Sequence, residues 1–245
     1  MKKHLTSLAL FIFLATGLYS QESKFSFYNS GEWILSGSTL SVNDISDAST
    51  IRFSPWYNSQ HTLNYQAIDY VGIFLGLDVR NVGFIYQTKL KTEAGEINIK
   101  KKFRTYNLGI PLGIKIGKPD GLNFYAGYEI EFPFHYKEKT YTNGIKNFKH
   151  KEWFSDRVPT YLTSVYGGIE SKKGFNLKFK LYLDKFFNPE YKGEVNGMPG
   201  YGYDSFDVQV FYVSICMNMF HDMRSQVEDI IEDKFQGKQT YLSHR

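Results

Sequence analysis

The sequence is dominated by stretches in which apolar residues alternate with small or polar ones. Residues 107–117 read NLGIPLGIKIG, so that Leu or Ile occupies every second position from Leu108 to Ile116. Such alternation places all the large apolar side chains on one face of a β-strand. The opposite face carries glycine and charge, whereas a soluble sheet turns a bulky face towards its core. The pattern therefore predicts a strand with an apolar outer face and a polar inner face.

The same alternation recurs along the chain and indicates eight strands. They cover residues 31–41, 69–79, 82–91, 102–117, 121–134, 160–170, 175–186 and 206–220. A tilted strand of about 9–11 residues crosses a bilayer, and one smooth apolar face suits lipid. We therefore predict an all-β fold: an eight-stranded antiparallel up-and-down transmembrane β-barrel with a short C-terminal helix. Pro111 lies within a strand, which is expected at a bulge or where its missing N–H is not needed.

The connections between these strands alternate in length. Short ones are predicted at 80–81, 118–120 and 172–174, and long ones at 42–68, 92–101, 135–159 and 187–205. Sorting of this kind puts all the long loops at one end, as in outer-membrane barrels. Residues 50–57 and 61–68 offer two more strands and hence a ten-stranded alternative. Ten strands would break the sorting, so we favour a hairpin that rises above the membrane.

Both ends of the chain differ from the predicted barrel, residues 21–220. Residues 1–20 contain Lys2, Lys3 and then an uncharged apolar run, which is typical of a signal peptide. Removing this segment leaves 27 Lys and Arg against 25 Asp and Glu, a balance that excludes a nucleic-acid footprint. Residues 221–245 contain the capping-box pattern Ser-Gln-Val-Glu from Ser225 and an apolar helical stripe. They predict a periplasmic helix, which either packs under the barrel or docks a partner.

The composition fits a membrane surface. Aromatic residues make up 18% of the chain, yet the mean hydropathy is −0.37. Both values are expected if lipid-facing positions are every second residue of the strands. A girdle of aromatic side chains is then predicted near the strand ends. Its members are Phe84, Tyr86, Phe132, Tyr161 and Phe186. The single cysteine, Cys216, excludes an intrachain disulfide and is expected to be a buried, inert thiol.

Two adjacent segments carry a family resemblance. Residues 108–115 read LGIPLGIK and residues 121–129 read GLNFYAGYE. Together with the signal segment and the eight strands, they resemble the outer membrane protein beta-barrel domain family, which includes OmpA/OmpX-like and PorT-like small barrels of Gram-negative bacteria. The resemblance covers nearly the whole mature chain and implies location in the cell outer membrane, with no shared catalytic residues. PorT-like proteins further imply an accessory role in protein secretion.

Charged residues on the predicted inner faces define a candidate lumen network. Eight strands enclose a space that side chains fill, and buried charges need partners. We therefore predict a paired polar plug, with a gated path for small solutes as the alternative. The inward residues are Glu32, Asp78, Arg80, Lys89, Lys115, Glu129, Glu131, Glu170, Lys178, Lys180 and Asp184.

Residues 135–159 combine basic and aromatic side chains. The candidate surface contacts are Lys146, Lys149, Lys151, Trp153 and Phe154. Such side chains suit the anionic groups of lipopolysaccharide, while an ordinary solvated loop remains an equal alternative.

Catalysis finds little support in the sequence. A lipid-modifying barrel enzyme needs a His beside an acid or a nucleophilic Ser, and no pattern ties His61, His135 or His150 to one. The three also lack the spacing of a metal site. We therefore expect no enzyme and no cofactor, but a structural or partner-binding barrel. The expected partners are outer-membrane lipid and lipopolysaccharide, the barrel assembly machinery and a periplasmic protein at the C-terminal helix. A lipid-modifying enzyme and a narrow solute channel are the alternatives.

Overall fold

The computed structural model describes residues 24–42, 45–93, 95–118, 121–171, 174–193, 203 and 206–218. The predicted signal peptide, residues 1–20, and the predicted C-terminal helix, within 221–245, lie outside these residues. Among the described residues, no helix is long and apolar enough to cross a membrane.

The described part of the chain is built from antiparallel strands. They are β1 (Phe25–Val42), β2 (Ile45–Ala48), β3 (Arg52–Ser54), β4 (Ser59–Ile68), β5 (Val71–Thr92), β6 (Gly95–Gly117), β7 (Asn123–Thr142), β8 (Ile145–Trp153), β9 (Leu162–Glu170), β10 (Phe175–Tyr182) and β11 (Phe206–Asn218).

Eight of these strands close into a barrel. Their order around the wall is β1-β4-β5-β6-β7-β9-β10-β11, and β11 pairs with β1 from Ser30–Asn218 to Val42–Phe206. The other three strands are extensions at one end. β2 and β3 pair with β1 beyond β4, and β8 pairs with β7 beyond β9. The eight-stranded antiparallel barrel is confirmed, and the ten-stranded alternative is wrong.

The barrel has two chemically different faces. On β6, Leu108, Ile110, Leu112, Ile114 and Ile116 are all exposed, while the intervening residues from Asn107 to Gly113 are buried. The neighbouring strands add further exposed apolar side chains to what we call the apolar belt: Leu63, Ile73, Leu75, Leu77, Tyr128, Ile130, Val165, Ile169, Leu177, Phe179, Val213 and Ile215. A continuous exposed apolar surface of this kind is rare on soluble monomers and suits contact with lipid.

Pro111 lies at a gap in the barrel ladder. The pairing of β5 with β6 runs from Val71 to Leu75, opposite Leu112, and resumes at Asp78, opposite Gly109. Pro111 falls within the interruption, so its missing N–H breaks no hydrogen bond of that ladder. This agrees with the second of the two settings expected for it.

The predicted turn at Arg80–Asn81 is wrong, because β5 runs without a break through both residues. Arg80 points into the lumen and is fully buried. Asn81 points the other way, and its backbone and side-chain oxygens accept hydrogen bonds from the Arg52 guanidinium of β3. Arg80 and Asn81 therefore lie on opposite faces of one strand and do not form a turn.

Because β5 covers two of the eight predicted strands, the barrel needs one further wall strand. This strand lies in the predicted first long loop. Residues Ser59–Ile68 form β4, a wall strand between β1 and β5, and the tight turn that follows is at 69–70. Residues 61–68 are thus not part of a hairpin above the membrane. In addition, 92–101 is not a long loop, because β5 continues to Thr92 and β6 already begins at Gly95. The longest excursions still share one end, here called the loop end.

Glycines on the inner face give space to aromatic rings near the opposite end, the turn end. Phe74, Tyr125 and Tyr166 pack together there. Each ring is directly opposite a glycine across the ladder: Gly113, Gly168 and Gly127, respectively. A Cβ atom on Gly113 would come within 2.4 Å of the Phe74 ring. Aromatic residues placed over cross-strand glycines fill the lumen without crowding it.

The placement of β4 in the wall gives the first testable prediction. Leu63→Arg puts a charge on the apolar belt and should lower the free energy of unfolding in lipid vesicles by about 2–4 kcal/mol. Ile68→Arg, at the end of the same strand, is the matched control and should cost about 0–1 kcal/mol. Urea titrations of both variants measure the difference. Equal and small effects would place β4 outside the membrane.

Candidate functional site

The centre of the lumen holds a layer of buried charges built around Arg80. Its guanidinium contacts the carboxylates of Glu32 on β1 and Asp78 on β5, and its Nε lies 3.0 Å from Glu129 on β7. The same Nε is 3.7 Å from Glu131. One cation thus reaches four carboxylates on three strands, which suits the planar, many-donor guanidinium better than an ammonium.

Two lysines of β10 complete this charge layer. Lys178 lies 2.5 Å from Glu32 and also donates to Gln60 of β4. Lys180 lies 2.7 Å from Glu129 and contacts Glu131. The four carboxylates and three cations are at most 1% exposed. Their close pairing is the condition under which buried charges are tolerated.

Polar groups also bind Glu131 of this layer, whereas Asp78 Oδ1 has no hydrogen-bond partner among the described residues. Glu131 accepts hydrogen bonds from the Asn107 amide at 2.6 Å and from the Tyr182 hydroxyl at 2.7 Å. The Lys180 ammonium also lies over the Tyr166 and Tyr212 rings. Gln60 had no place in the predicted network because its segment was interpreted as a loop. The alternation of Gln60, Thr62 and Asn64 with His61 and Leu63 is the signal that could have revealed it.

The other predicted lumen residues lie apart from this layer. Lys115 and Glu170 form a 2.8 Å pair near the turn end, with both side chains less than 20% exposed. Asp184 follows β10 and accepts hydrogen bonds from the backbone N–H and hydroxyl of Thr163. Lys89 is outside the lumen: it is 68% exposed and 3.8 Å from Glu96 on the β5–β6 hairpin. At Lys89, β5 extends beyond the closed part of the barrel, so the predicted inner position of Lys89 is wrong.

An aromatic plug fills the lumen between the charge layer and the loop end. Phe84, Phe103, Phe186 and Phe187 pack with ring centroids 5.1–6.0 Å apart. Phe187 also stacks on Tyr203 at 4.1 Å. Phe84 and Phe186 are therefore core residues, and their predicted place in an interfacial girdle is wrong. Phe132 and Tyr161 are exposed, as a girdle requires.

A second candidate site lies on the outward face of the strands that rise beyond the belt. Residues Ile145–Trp153 of the predicted third loop form β8, joined to β7 by a turn at Asn143 and Gly144. Both turn residues have positive φ (49° and 82°), and Asn-Gly is the preferred sequence for such a two-residue hairpin.

β8 lines up its basic residues with those of β7. Lys151 is opposite Lys137, and Lys149 is opposite Lys139. Trp153 is opposite His135, with ring centroids 4.5 Å apart. The next residue, Phe154, is 76% exposed. The other predicted contact, Lys146, is opposite Tyr141.

The same rows continue onto β6. Arg104 is opposite Lys137, and Lys102 is opposite Lys139. The positive charge of Lys151 lowers the pKa of Lys149. Partial burial, with the charges of Arg104 and Lys151, lowers the pKa of Lys137. Both shifts have the direction expected of cations that crowd one another. We call this surface of β6, β7 and β8 the basic face.

The three histidines with catalytic potential lie on separate surfaces. His61 is exposed on β4, with its Nδ1 2.8 Å from the Asn29 side chain. His135 belongs to the aromatic row with Trp153. His150 on β8 lies 3.4 Å from Glu152, but Ser155 donates its hydroxyl to that same carboxylate rather than to the imidazole. A nucleophilic serine needs the base itself within reach. In the described ranges, no three His, Cys, Asp or Glu side chains are grouped as metal ligands.

The sequence matches no protein-family model and no curated protein sequence. Among solved structures, Ail, the attachment invasion locus protein of Yersinia pestis, is 9% identical with a TM-score of 0.36, covering 78% of this chain and 97% of its own. Neisserial surface protein A is 12% identical with a TM-score of 0.34, covering 80% and 99%. Outer membrane protein OprG of Pseudomonas aeruginosa is 11% identical with a TM-score of 0.29, covering 79% and 94%. These identities are too low to transfer a function.

The charge layer gives a second prediction. Arg80→Gln leaves four buried carboxylates with two lysines, so we expect the free energy of unfolding in detergent micelles to fall by about 3–5 kcal/mol. Arg80→Lys should rescue little, because an ammonium lacks the forked donors. The control is Lys115→Gln, which removes one partly exposed pair and should cost about 1 kcal/mol or less. Comparable losses in the two Gln variants would contradict a central role for Arg80.

Proposed function

We propose that the chain is an integral outer-membrane β-barrel with a structural or partner-binding role and no catalytic activity. The observation that carries this proposal is the combination of an apolar belt outside with a lumen filled by paired charges and rings. The outer surface suits lipid, and side chains fill the interior. We therefore expect partners to bind at the outer face or at the ends of the barrel.

The orientation follows from the connections. The connections from β4 to β5, from β6 to β7 and from β9 to β10 span few residues, whereas the β5–β6 and β7–β8 hairpins extend beyond the barrel at the loop end. In outer-membrane barrels the short turns are periplasmic and the long excursions are external. The basic face then lies on the outer side, just beyond the apolar belt.

The proposed partners are of three kinds. Outer-membrane lipid and lipopolysaccharide surround the belt and face the basic surface, and the barrel assembly machinery inserts the chain. A periplasmic protein is the proposed partner of residues 221–245. The resemblance to PorT-like barrels supports an accessory role in protein secretion through such a contact. The proposal includes no cofactor.

The filled lumen predicts that the protein does not conduct ions. After reconstitution in planar bilayers, the purified chain should give no stable conductance steps, because the charge layer and the aromatic plug occupy the lumen. A mobility difference between boiled and unboiled samples on a gel verifies that the barrel is folded in the same preparation. Reproducible steps from folded protein would favour the narrow solute channel instead.

The non-enzymatic part of the proposal has its own test. Replacing His61, His135 and His150 together by Gln should leave the acylation of outer-membrane lipid A unchanged, because no serine hydroxyl among the described residues is hydrogen-bonded to any of the three imidazoles. Mass spectrometry of lipid A from cells with either form measures this. A change in acylation that returns to normal with the unaltered chain would favour the lipid-modifying enzyme.

A further inference from the structure

The basic face borders a cleft lined by cations and aromatic rings. The cleft has a volume of about 320 Å³ and lies between β3 with the segment that follows it and the rising parts of β6 and β7. The cations on its walls are Arg52, Lys102, Arg104, Lys137 and Lys139. Trp56, Tyr57 and Tyr141 also line it. Among the described residues, none that lines the cleft carries a carboxylate.

The cations in and beside the cleft face one another across the ladder. Arg104, Lys137 and Lys151 form one row across β6, β7 and β8, and Lys102, Lys139 and Lys149 form the next. Like charges directly opposite each other destabilise a sheet. None of these six residues takes part in a salt bridge in the described part of the chain.

The two acidic residues that alternate with these cations along β7 and β8 point away from this surface. Glu138 alternates with Lys137 and Lys139, and it is buried against the Tyr136 hydroxyl at 3.1 Å. Glu152 alternates with Lys151, and it lies 3.5 Å from Arg157. The positive charge is therefore concentrated on one face of strands that also contain acids. An anion from outside the chain is the natural counter-charge.

A largely apolar groove lies on the belt side of the cation rows and is separated from them by one row of residues. Its volume is about 640 Å³, and most of its lining is apolar: Leu108, Phe132, Pro133, Phe134, Phe154, Val158 and Pro159, with the polar Ser155, Asp156 and Thr160 beside them. Between the groove and the cation rows lies a row of rings from Tyr106, His135 and Trp153. The order along the strands is thus cations, aromatic rings and apolar groove. A ligand with an anionic head and a hydrocarbon tail matches this order, whereas a soluble polyanion would leave the groove empty.

We propose that the basic face binds the phosphate groups of an outer-leaflet glycolipid, with the cleft holding a phosphorylated sugar and the groove an acyl chain. This inference rests on the proposed insertion in the outer membrane. Lysine and arginine side chains near a bilayer surface attract anionic lipid headgroups, and guanidinium groups form paired hydrogen bonds with phosphate. The rings of the cleft offer flat apolar surfaces to a sugar.

The test uses the full chain folded in zwitterionic detergent micelles. Bisphosphorylated lipid A and the same lipid without phosphates are titrated separately, and binding is followed by native mass spectrometry and tryptophan fluorescence. We expect the phosphorylated form to bind more tightly, and added salt to weaken its binding. Equal affinity for the two lipids would overturn the proposal.

A pair of variants with the same change in charge sharpens this test. Lys102→Gln, Arg104→Gln, Lys137→Gln and Lys139→Gln together should weaken the binding of bisphosphorylated lipid A by at least about tenfold. The control replaces four exposed lysines away from the cleft by Gln: Lys24, Lys118, Lys185 and Lys192. It should retain the affinity of the unaltered chain. An equal loss in both variants would reduce the effect to net charge and overturn the site.

Folding and the nature of the anion are checked separately. The cleft variant should keep its heat-dependent gel mobility and resist urea as well as the unaltered chain, because it loses repulsion between opposed cations. A folded barrel that does not bind lipid A would contradict this inference alone and would not contradict the proposed function. A soluble sulfated oligosaccharide that binds the cleft as tightly as lipid A would overturn the choice of a lipid.

Discussion

The barrel depends on the contact of one guanidinium with four carboxylates. Arg80 lies where a single unpaired charge would be very costly, so Glu32, Asp78, Glu129 and Glu131 depend on it and on two lysines. The partners come from β1, β5, β7 and β10, which lie around the whole wall. A shift in register by one residue would turn any of these charges towards lipid. The charge layer therefore stabilises the closed barrel and its register together.

The alternation of side chains predicted the fold wherever both faces of a strand have one constant environment. From Leu108 to Ile116 the outer face of β6 is part of the apolar belt and the inner face lines the lumen. The alternation in the sequence shows this directly. Such regularity is enough to predict seven of the eight wall strands, with β5 divided into two, as well as the polar interior and the charged residues of the charge layer. It cannot give the partner of each charge, because pairing depends on which strands meet across the lumen.

The sequence predictions failed where the strands leave the belt. Beyond Arg80, the outer face of β5 is covered by β3 and its neighbours, and the inner face is covered by the aromatic plug. Polar and apolar residues then no longer alternate between lipid and lumen, so one long strand was interpreted as two. β4 was hidden for a related reason, since its short apolar face is interrupted by His61. The Asn143-Gly144 turn was the local signal that could have revealed β7 and β8 as a hairpin.

Charged side chains are arranged in opposite ways on the inner and outer faces of the barrel strands. Inside, every cation of the charge layer has a carboxylate neighbour, as a buried charge requires. Outside, Arg104, Lys137 and Lys151 are opposed to each other while Glu138 and Glu152 point elsewhere. Salt alone makes such repulsion tolerable at an exposed surface, yet it gives no reason for the sorting. The sorting has a reason if the missing negative charge belongs to the surroundings, and under the proposed insertion in the outer membrane that charge is supplied by lipid headgroups.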